Sequence, residues 1–181
     1  MGDPGFALLG RRFVARGRFV TFERAYYLTG DGGWTARDVV RHPGSAAVVL
    51  WDGSRVHLVR QHRAAVGGEL LELPAGKLDV AGESPEETAR RESVEELGLL
   101  PGRLTLLHVG YTSPGFADEL TWIYLGEDLT PVTASPQGPE EAAAQVVGLT
   151  AEEAARLLEA GELRDAKTIL GLCSLLRWLG R

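Results

Sequence analysis

Gly76-Lys77-Leu78-Asp79-Val80-Ala81-Gly82-Glu83-Ser84-Pro85-Glu86-Glu87-Thr88-Ala89-Arg90-Arg91-Glu92-Ser93-Val94-Glu95-Glu96-Leu97-Gly98-Leu99 holds a loop, a helix and a row of acids in one continuous run. Ser84 is a capping residue, Pro85 fits the first helical position and Glu87 stands three residues after the cap, which together mark a helix start. Gly98 supplies the stop. Within that helix Glu92, Glu95 and Glu96 are spaced i, i+3 and i+4, so their carboxylates project from one face. At ~4 Å each pair would repel by roughly 1 to 4 kcal/mol, a cost that a bound cation turns into attraction. Hard oxygen donors point to magnesium or manganese. Spacing alone favours a solvated acidic face, because Glu is a common helix former.

Upstream, Ala46 to Trp51 and Arg55 to Gln61 flank Asp52-Gly53, the signature of a hairpin with a type I′ turn. Further strands are predicted over Leu70 to Leu73, Leu104 to Gly110, Thr121 to Leu125 and Gln145 to Leu149. Thr150-Ala151-Glu152-Glu153 repeats the capping box ahead of a helix that Gly161 ends, and Asp165 opens another that runs to about Gly180. Thr133 to Ala144 reads as a long loop, and long loops in compact domains are often functional. At the other end, residues 12 to 41 alternate apolar and polar side chains in short runs, Phe13 to Ala15, Phe19 to Leu28 and Trp34 to Val40. His42-Pro43-Gly44 closes them. The expected organisation is an antiparallel β appendage over residues 1–43 and a second domain over 44–181.

The 181 residues, 44% hydrophobic and 24% charged, are those of a globular chain. A net charge of −6 disfavours a nucleic-acid partner, whose phosphates demand clustered Lys and Arg. An anionic small substrate would then have to meet local positive charge from a few Arg or from metal. The single cysteine, Cys173, sits among Leu172, Leu175 and Leu176 and is expected to be buried, with no intrachain disulfide possible. No stretch approaches the ~18 apolar residues of a membrane span, so no membrane partner is expected and the cytoplasm is the default location.

The run from Gly76 to Leu99 resembles the Nudix box: Gly, five residues, Glu, seven residues, Arg-Glu, an aliphatic, any residue, Glu-Glu, any residue, Gly, aliphatic. Two positions depart from it. Six residues rather than five separate Gly76 from Glu83, which Asp79 to Gly82 can absorb as an outward bulge. Ser93 replaces the aliphatic, and its hydroxyl can bond back to the Ala89 carbonyl. The resemblance implies an α/β fold, a Nudix-type α/β/α sandwich with a mixed sheet behind the small N-terminal antiparallel appendage. It implies metal ligation by Glu92, Glu96 and the Ala75 carbonyl, with Glu95 as a further ligand or supporting carboxylate. Arg91 and Glu83 would orient the acids.

Gln61-His62-Arg63, Leu71 to Lys77 and Ser113-Pro114-Gly115-Phe116-Ala117-Asp118-Glu119 resemble segments of the ADP-ribose pyrophosphatases within the Nudix superfamily. Pro114, fifteen residues beyond Leu99, stands where that subgroup typically has proline. Gly161 to Thr168 and the appendage, which pairs two subunits in the subgroup, extend the likeness. It implies hydrolysis of the diphosphate in ADP-ribose to AMP and ribose 5-phosphate by a homodimer. Pro114, Gly115, Phe116 and Glu119 would contact substrate, as would Arg63, whose planar fork suits a phosphate oxygen pair. Trp34, or else Phe19 or Tyr27, would stack on adenine, although apolar packing accounts for each. Glu140 or Glu141 of the long loop, or Glu95, would be the general base. The alternatives are another nucleoside diphosphate derivative, such as a sugar nucleotide or coenzyme A, and a nucleotide-binding module without catalysis. A non-catalytic module should have lost acidic ligands, whereas Glu92, Glu95 and Glu96 are all present.

Overall fold

The computed structural model describes residues 5–180. They form two compact units, the first comprising the described residues up to Gly44 with Tyr111–Leu120, the second Ser45–Gly110 with Thr121 onward. In the first unit, β1 (Phe6–Arg16), β2 (Thr21–Thr29) and β3 (Trp34–Arg41) make an antiparallel sheet in that order. β1 begins well ahead of the alternation at Phe13. Phe6, Leu8, Leu9, Phe13 and Val14 along it are exposed, and Ala25 is the one wholly buried apolar side chain among the described residues of this unit. Residues 111–120 fold onto β3: the Val40 N–H donates to the Phe116 carbonyl at 2.8 Å, and Arg41 grips Asp118 at 2.8 Å.

The second unit is a mixed sheet between two layers of helix. β4 (Ser45–Trp51) is buried along its whole length and runs parallel to β9 (Leu120–Pro131). β5 (Arg55–Arg63) returns antiparallel beside it, β10 (Gln145–Thr150) pairs with β5, and β8 (Leu99–Tyr111) lies outside β9. Side-chain alternation along β4 divides the core. Ala46, Val48 and Leu50 pack with Ala89 of helix α1 (Pro85–Leu97) on one face. Ala47, Val49 and Trp51 pack on the other with Ala151 and Ala154 of α3 (Ala151–Glu159) and Leu172 and Leu175 of α4 (Ala166–Trp178). Each wholly buried Leu in these clusters contributes on the order of 1.5–3 kcal/mol. No described helix is long and apolar enough to cross a membrane.

β4 and β5 pair only near their shared turn, at Leu50↔His57 and Trp51↔Val56, and then part. Two short strands enter the gap: β6 (Gly68–Glu72) on β5 and β7 (Ala75–Lys77) on β4. Leu73 and Pro74 join them and are buried. β7 is not legible in the sequence because three residues carry no periodicity. Nor is α2 (Pro139–Ala142), a single turn inside the expected loop.

Two local expectations are corrected. The Asp52-Gly53 turn is not type I′, since Gly53 has a positive φ of 96° but Asp52 does not. The Asp52 carboxylate instead accepts the Ser54 and Arg55 N–H groups, closing the turn with its side chain. Cys173 is exposed rather than buried, because the rotation of α4 that turns Leu172 and Leu175 inward carries the residue after Leu172 outward.

Candidate active site

The site starts from the helix cap. Ser84 Oγ accepts the Glu87 N–H, and the Glu87 carboxylate accepts the Ser84 N–H at 2.7 Å, while Gly98 ends α1 in the left-handed region. Ser93 Oγ donates to the Ala89 carbonyl at 2.7 Å, so its buried hydroxyl is satisfied. These ends fix the helix phase and with it the acidic face.

Arg91 is the hub of that face. Its Nε and Nη2 donate to the two oxygens of Glu83 at 2.9 and 3.0 Å, and Thr88 Oγ1 adds a third bond to Glu83. Arg91 Nη1 also bridges Glu92 at 2.5 Å and Glu95 at 2.9 Å. Hydrogen bonding to Glu83 raises the Arg91 pKa, and Arg91 in turn lowers that of Glu83.

Glu92 and Glu96 behave differently. Burial is the first cause that raises the Glu92 pKa, against the pull of Arg91. Burial, then the neighbouring Glu92 charge, pushes Glu96 up to about 8, although the Ala75 N–H opposes the shift. That N–H reaches Glu96 Oε1 at 3.4 Å; Glu96 Oε2 is buried and has no hydrogen-bond partner. Gly76 lies against the Glu92 side chain so closely that a Cβ there would fall inside its carboxylate. A side chain here could be admitted only by moving that carboxylate.

Arg63 is brought beside this centre, close enough that its charge favours the ionised form of Glu96. Its fork, however, is engaged by Glu72, with Nε and Nη2 each donating at 2.7 Å. Lys167 Nζ approaches the same carboxylate at 2.5 Å. Together the two cations hold the Glu72 pKa low although burial acts to raise it. Glu141 of α2 also belongs to the neighbourhood, since its charge raises the pKa of both Glu92 and Glu96; Glu140 is exposed.

The remaining sequence candidates lie in the first unit. Pro114, Gly115 and Phe116 are the exposed tip of a turn closed by the Ala117 N–H on the Ser113 carbonyl at 2.9 Å. Glu119 accepts from Thr112 Oγ1 at 2.7 Å. Trp34 is exposed, its ring tilted against Tyr26 at 6.3 Å.

A model of the NUDIX domain matches residues 40–170. The chain belongs to the NUDIX family. It is 40% identical over 139 residues to an ADP-ribose pyrophosphatase of Bacillus subtilis, covering 76% of this chain and 75% of that one. It is 35% identical over 173 residues to an ADP-ribose pyrophosphatase of Mycobacterium tuberculosis, covering 95% and 84%. A crystal structure of an ADP compounds hydrolase superposes with a TM-score of 0.84 at 24% identity, covering 99% of this chain and 97% of that one, which confirms the fold.

Nudix hydrolases generally depend on a divalent metal, and the donors here fit one. Glu92 and Glu96, both with pKa raised by burial, an unpartnered buried oxygen on Glu96 and the Glu92 carboxylate seated where a Cβ of Gly76 would be make a hard-oxygen set whose desolvation a cation would offset. Among the described residues no three His, Cys, Asp or Glu side chains already converge as a cage; Arg91 supplies the positive charge between Glu92 and Glu95 instead. Glu72 and Lys167 were missed as site residues. Nothing local in sequence marks a buried carboxylate whose partner lies 95 residues away.

Proposed function

We propose that this Nudix hydrolase cleaves the diphosphate of ADP-ribose to AMP and ribose 5-phosphate with Mg2+ or Mn2+. The observation that carries the reading is the centre of Glu92, Glu96, Gly76 and the Ala75 backbone beside Arg63, in a chain similar to two ADP-ribose pyrophosphatases. Glu92, Glu96 and the Ala75 carbonyl would hold the metal, with Glu95 as a further carboxylate. A bound divalent ion lowers the pKa of water and neutralises charge on phosphoryl oxygens.

The chain's own groups do the rest. Arg91 holds Glu92 and Glu95 in place, anchored by Glu83. Arg63, whose Nε and Nη2 are held by Glu72, would contribute positive charge to the diphosphate rather than a free fork. Water adds its oxygen to one phosphorus as the bridging P–O bond breaks, and its proton passes to a base. Glu141 is preferred for that role over exposed Glu140 because it interacts electrostatically with Glu92 and Glu96; Glu95, bound to Arg91, is the alternative. The exposed turn of Pro114, Gly115 and Phe116, with Glu119, is assigned to recognition of the group beyond the diphosphate, and Trp34 to adenine stacking.

The test is the ratio of kcat/KM for ADP-ribose, ATP and a sugar nucleotide at saturating Mg2+ or Mn2+, with product identification. ADP-ribose is expected to lead by at least about tenfold, a margin that a few differential polar contacts supply. Preference for ATP or the sugar nucleotide would overturn the substrate assignment.

A further inference from the structure

Residues 72 to 76 are each in contact with a side chain or strand distant in sequence. Glu72, only 1% exposed, is gripped by Arg63 and by Lys167 of α4. The Leu73 N–H donates at 2.8 Å to Oγ1 of Thr168, also in the first turn of α4 and wholly buried. The Pro74 carbonyl accepts from Val48 of β4 at 3.0 Å. The Ala75 N–H meets Glu96, and Gly76 abuts Glu92.

Two of these six partners, Lys167 and Thr168, come from the same helical turn, and that turn is itself braced. Asp165 caps α4 by accepting the Thr168 N–H at 2.9 Å and the Thr168 hydroxyl at 2.5 Å. Because Thr168 Oγ1 gives its proton to Asp165, its lone pairs are left to accept the Leu73 N–H. Lys167 Nζ pairs with Asp165 at 2.9 Å as well as with Glu72. Further along, a Cβ at Gly171 would come within 2.5 Å of Leu73 Cδ1, so the helix backbone seats directly on that side chain.

We infer that the first turn of α4, through Thr168 and Lys167, is a positioning element of the metal centre: it fixes Glu72 and Leu73, and thereby the Ala75-Gly76 backbone opposite Glu92 and Glu96. The inference rests on the reading that Glu92, Glu96 and Ala75 hold the metal. Neither Thr168 nor Lys167 touches the metal or the reacting atoms in this scheme.

The experiment measures Mn2+ affinity by titration calorimetry, with thermal stability and turnover of ADP-ribose, in the intact protein and in Thr168→Val, Thr168→Ser, Lys167→Met and Glu92→Gln. Thr168→Val keeps the shape but removes the acceptor, and is expected to weaken Mn2+ binding about 10-fold or more, as loss of a group that orients ligands does. Thr168→Ser restores the acceptor and is expected to restore affinity. Lys167→Met is expected to weaken Mn2+ binding in the same direction and keeps the inference testable if Thr168→Val does not fold. Loss of thermal stability in Thr168→Val and Lys167→Met with Mn2+ affinity unchanged would overturn it, leaving a purely structural role. Glu92→Gln separates the two levels: unchanged Mn2+ affinity there would overturn the ligand assignment itself, whatever the α4 variants do.

Discussion

At the scale of the residue, Gly76 and Glu96 show how far the site depends on fit. A Cβ at Gly76 would have to displace the Glu92 carboxylate. Gly76→Ala is therefore expected to cost about 100-fold in turnover, the order seen when a reacting geometry is moved by ~1 Å. Circular dichroism and a melting curve should show the fold retained; near-normal turnover would mean that Glu92 is not held where the chemistry needs it. Glu96 offers a separate test in protein stripped of metal by chelator. Its pKa rises from an ordinary 4.5 to about 8 on folding, chiefly through burial. Between those values the folded state binds more protons than the unfolded state, so stability is expected to fall as pH rises through that window. Glu96→Gln should flatten this dependence in urea denaturation at pH 5 and pH 8. An identical slope in the parent and the variant would contradict the burial of that carboxylate. Arg63, Glu72 and Lys167 mark the limit of legibility at this scale: the planar fork of Arg63 gave a reason to single it out, but the carboxylate that engages it is defined only by tertiary structure.

Elements were legible where their ends carry chemistry. Ser84, Glu87 and Gly98 predict α1, and all three occupy the cap positions expected. Thr150 and Glu153 do the same for α3, and Asp165 for α4. What stayed hidden was the parting of β4 and β5 and the insertion of β6 and β7. That arrangement follows from pairing over long sequence distances, and segments of three to five residues flanking Pro74 do not announce which neighbour they join. The cap at Ser84 gives a prediction for this level. Ser84→Ala removes the acceptor of the Glu87 N–H and is expected to cost ~1 kcal/mol of stability, lowering Tm by roughly 2–4 °C for a chain of this size. Turnover at 25 °C should stay within about twofold, since the cap bonds Glu87 and none of Glu92, Glu95 and Glu96; a large kinetic loss without a change in Tm would show that the cap sets the chemistry directly.

At the scale of the whole molecule, the first unit poses a problem of exposed surface. β1 presents Phe6, Leu8, Leu9, Phe13 and Val14 to solvent in a sheet with almost no core of its own. Exposed apolar side chains on a strand at the edge of a sheet invite pairing with another chain. We propose a homodimer in which residues 12–41 contribute to the interface. Sedimentation at micromolar concentration is expected to give twice the mass of one chain, and Phe13→Asp to raise the dissociation constant at least about tenfold, given the transfer cost of placing a charge against apolar surface. A parent protein that sediments as a fully active monomer would remove the proposal.

The grip of α4 on the β6–β7 wedge also has a meaning in time. Leu73 and Thr168, like Glu72 and Lys167, are 95 residues apart. A ribosome adding roughly 5 to 20 residues per second completes the acidic helix roughly 4 to 14 seconds before it supplies the turn that anchors Leu73. The nascent chain can therefore assemble its first hairpin and α1 from local contacts while the backbone opposite Glu92 and Glu96 is still without its last two anchors. On the inference that α4 positions the metal centre, catalytic competence waits on the emergence of α4 rather than on the folding of the segment that bears the acids.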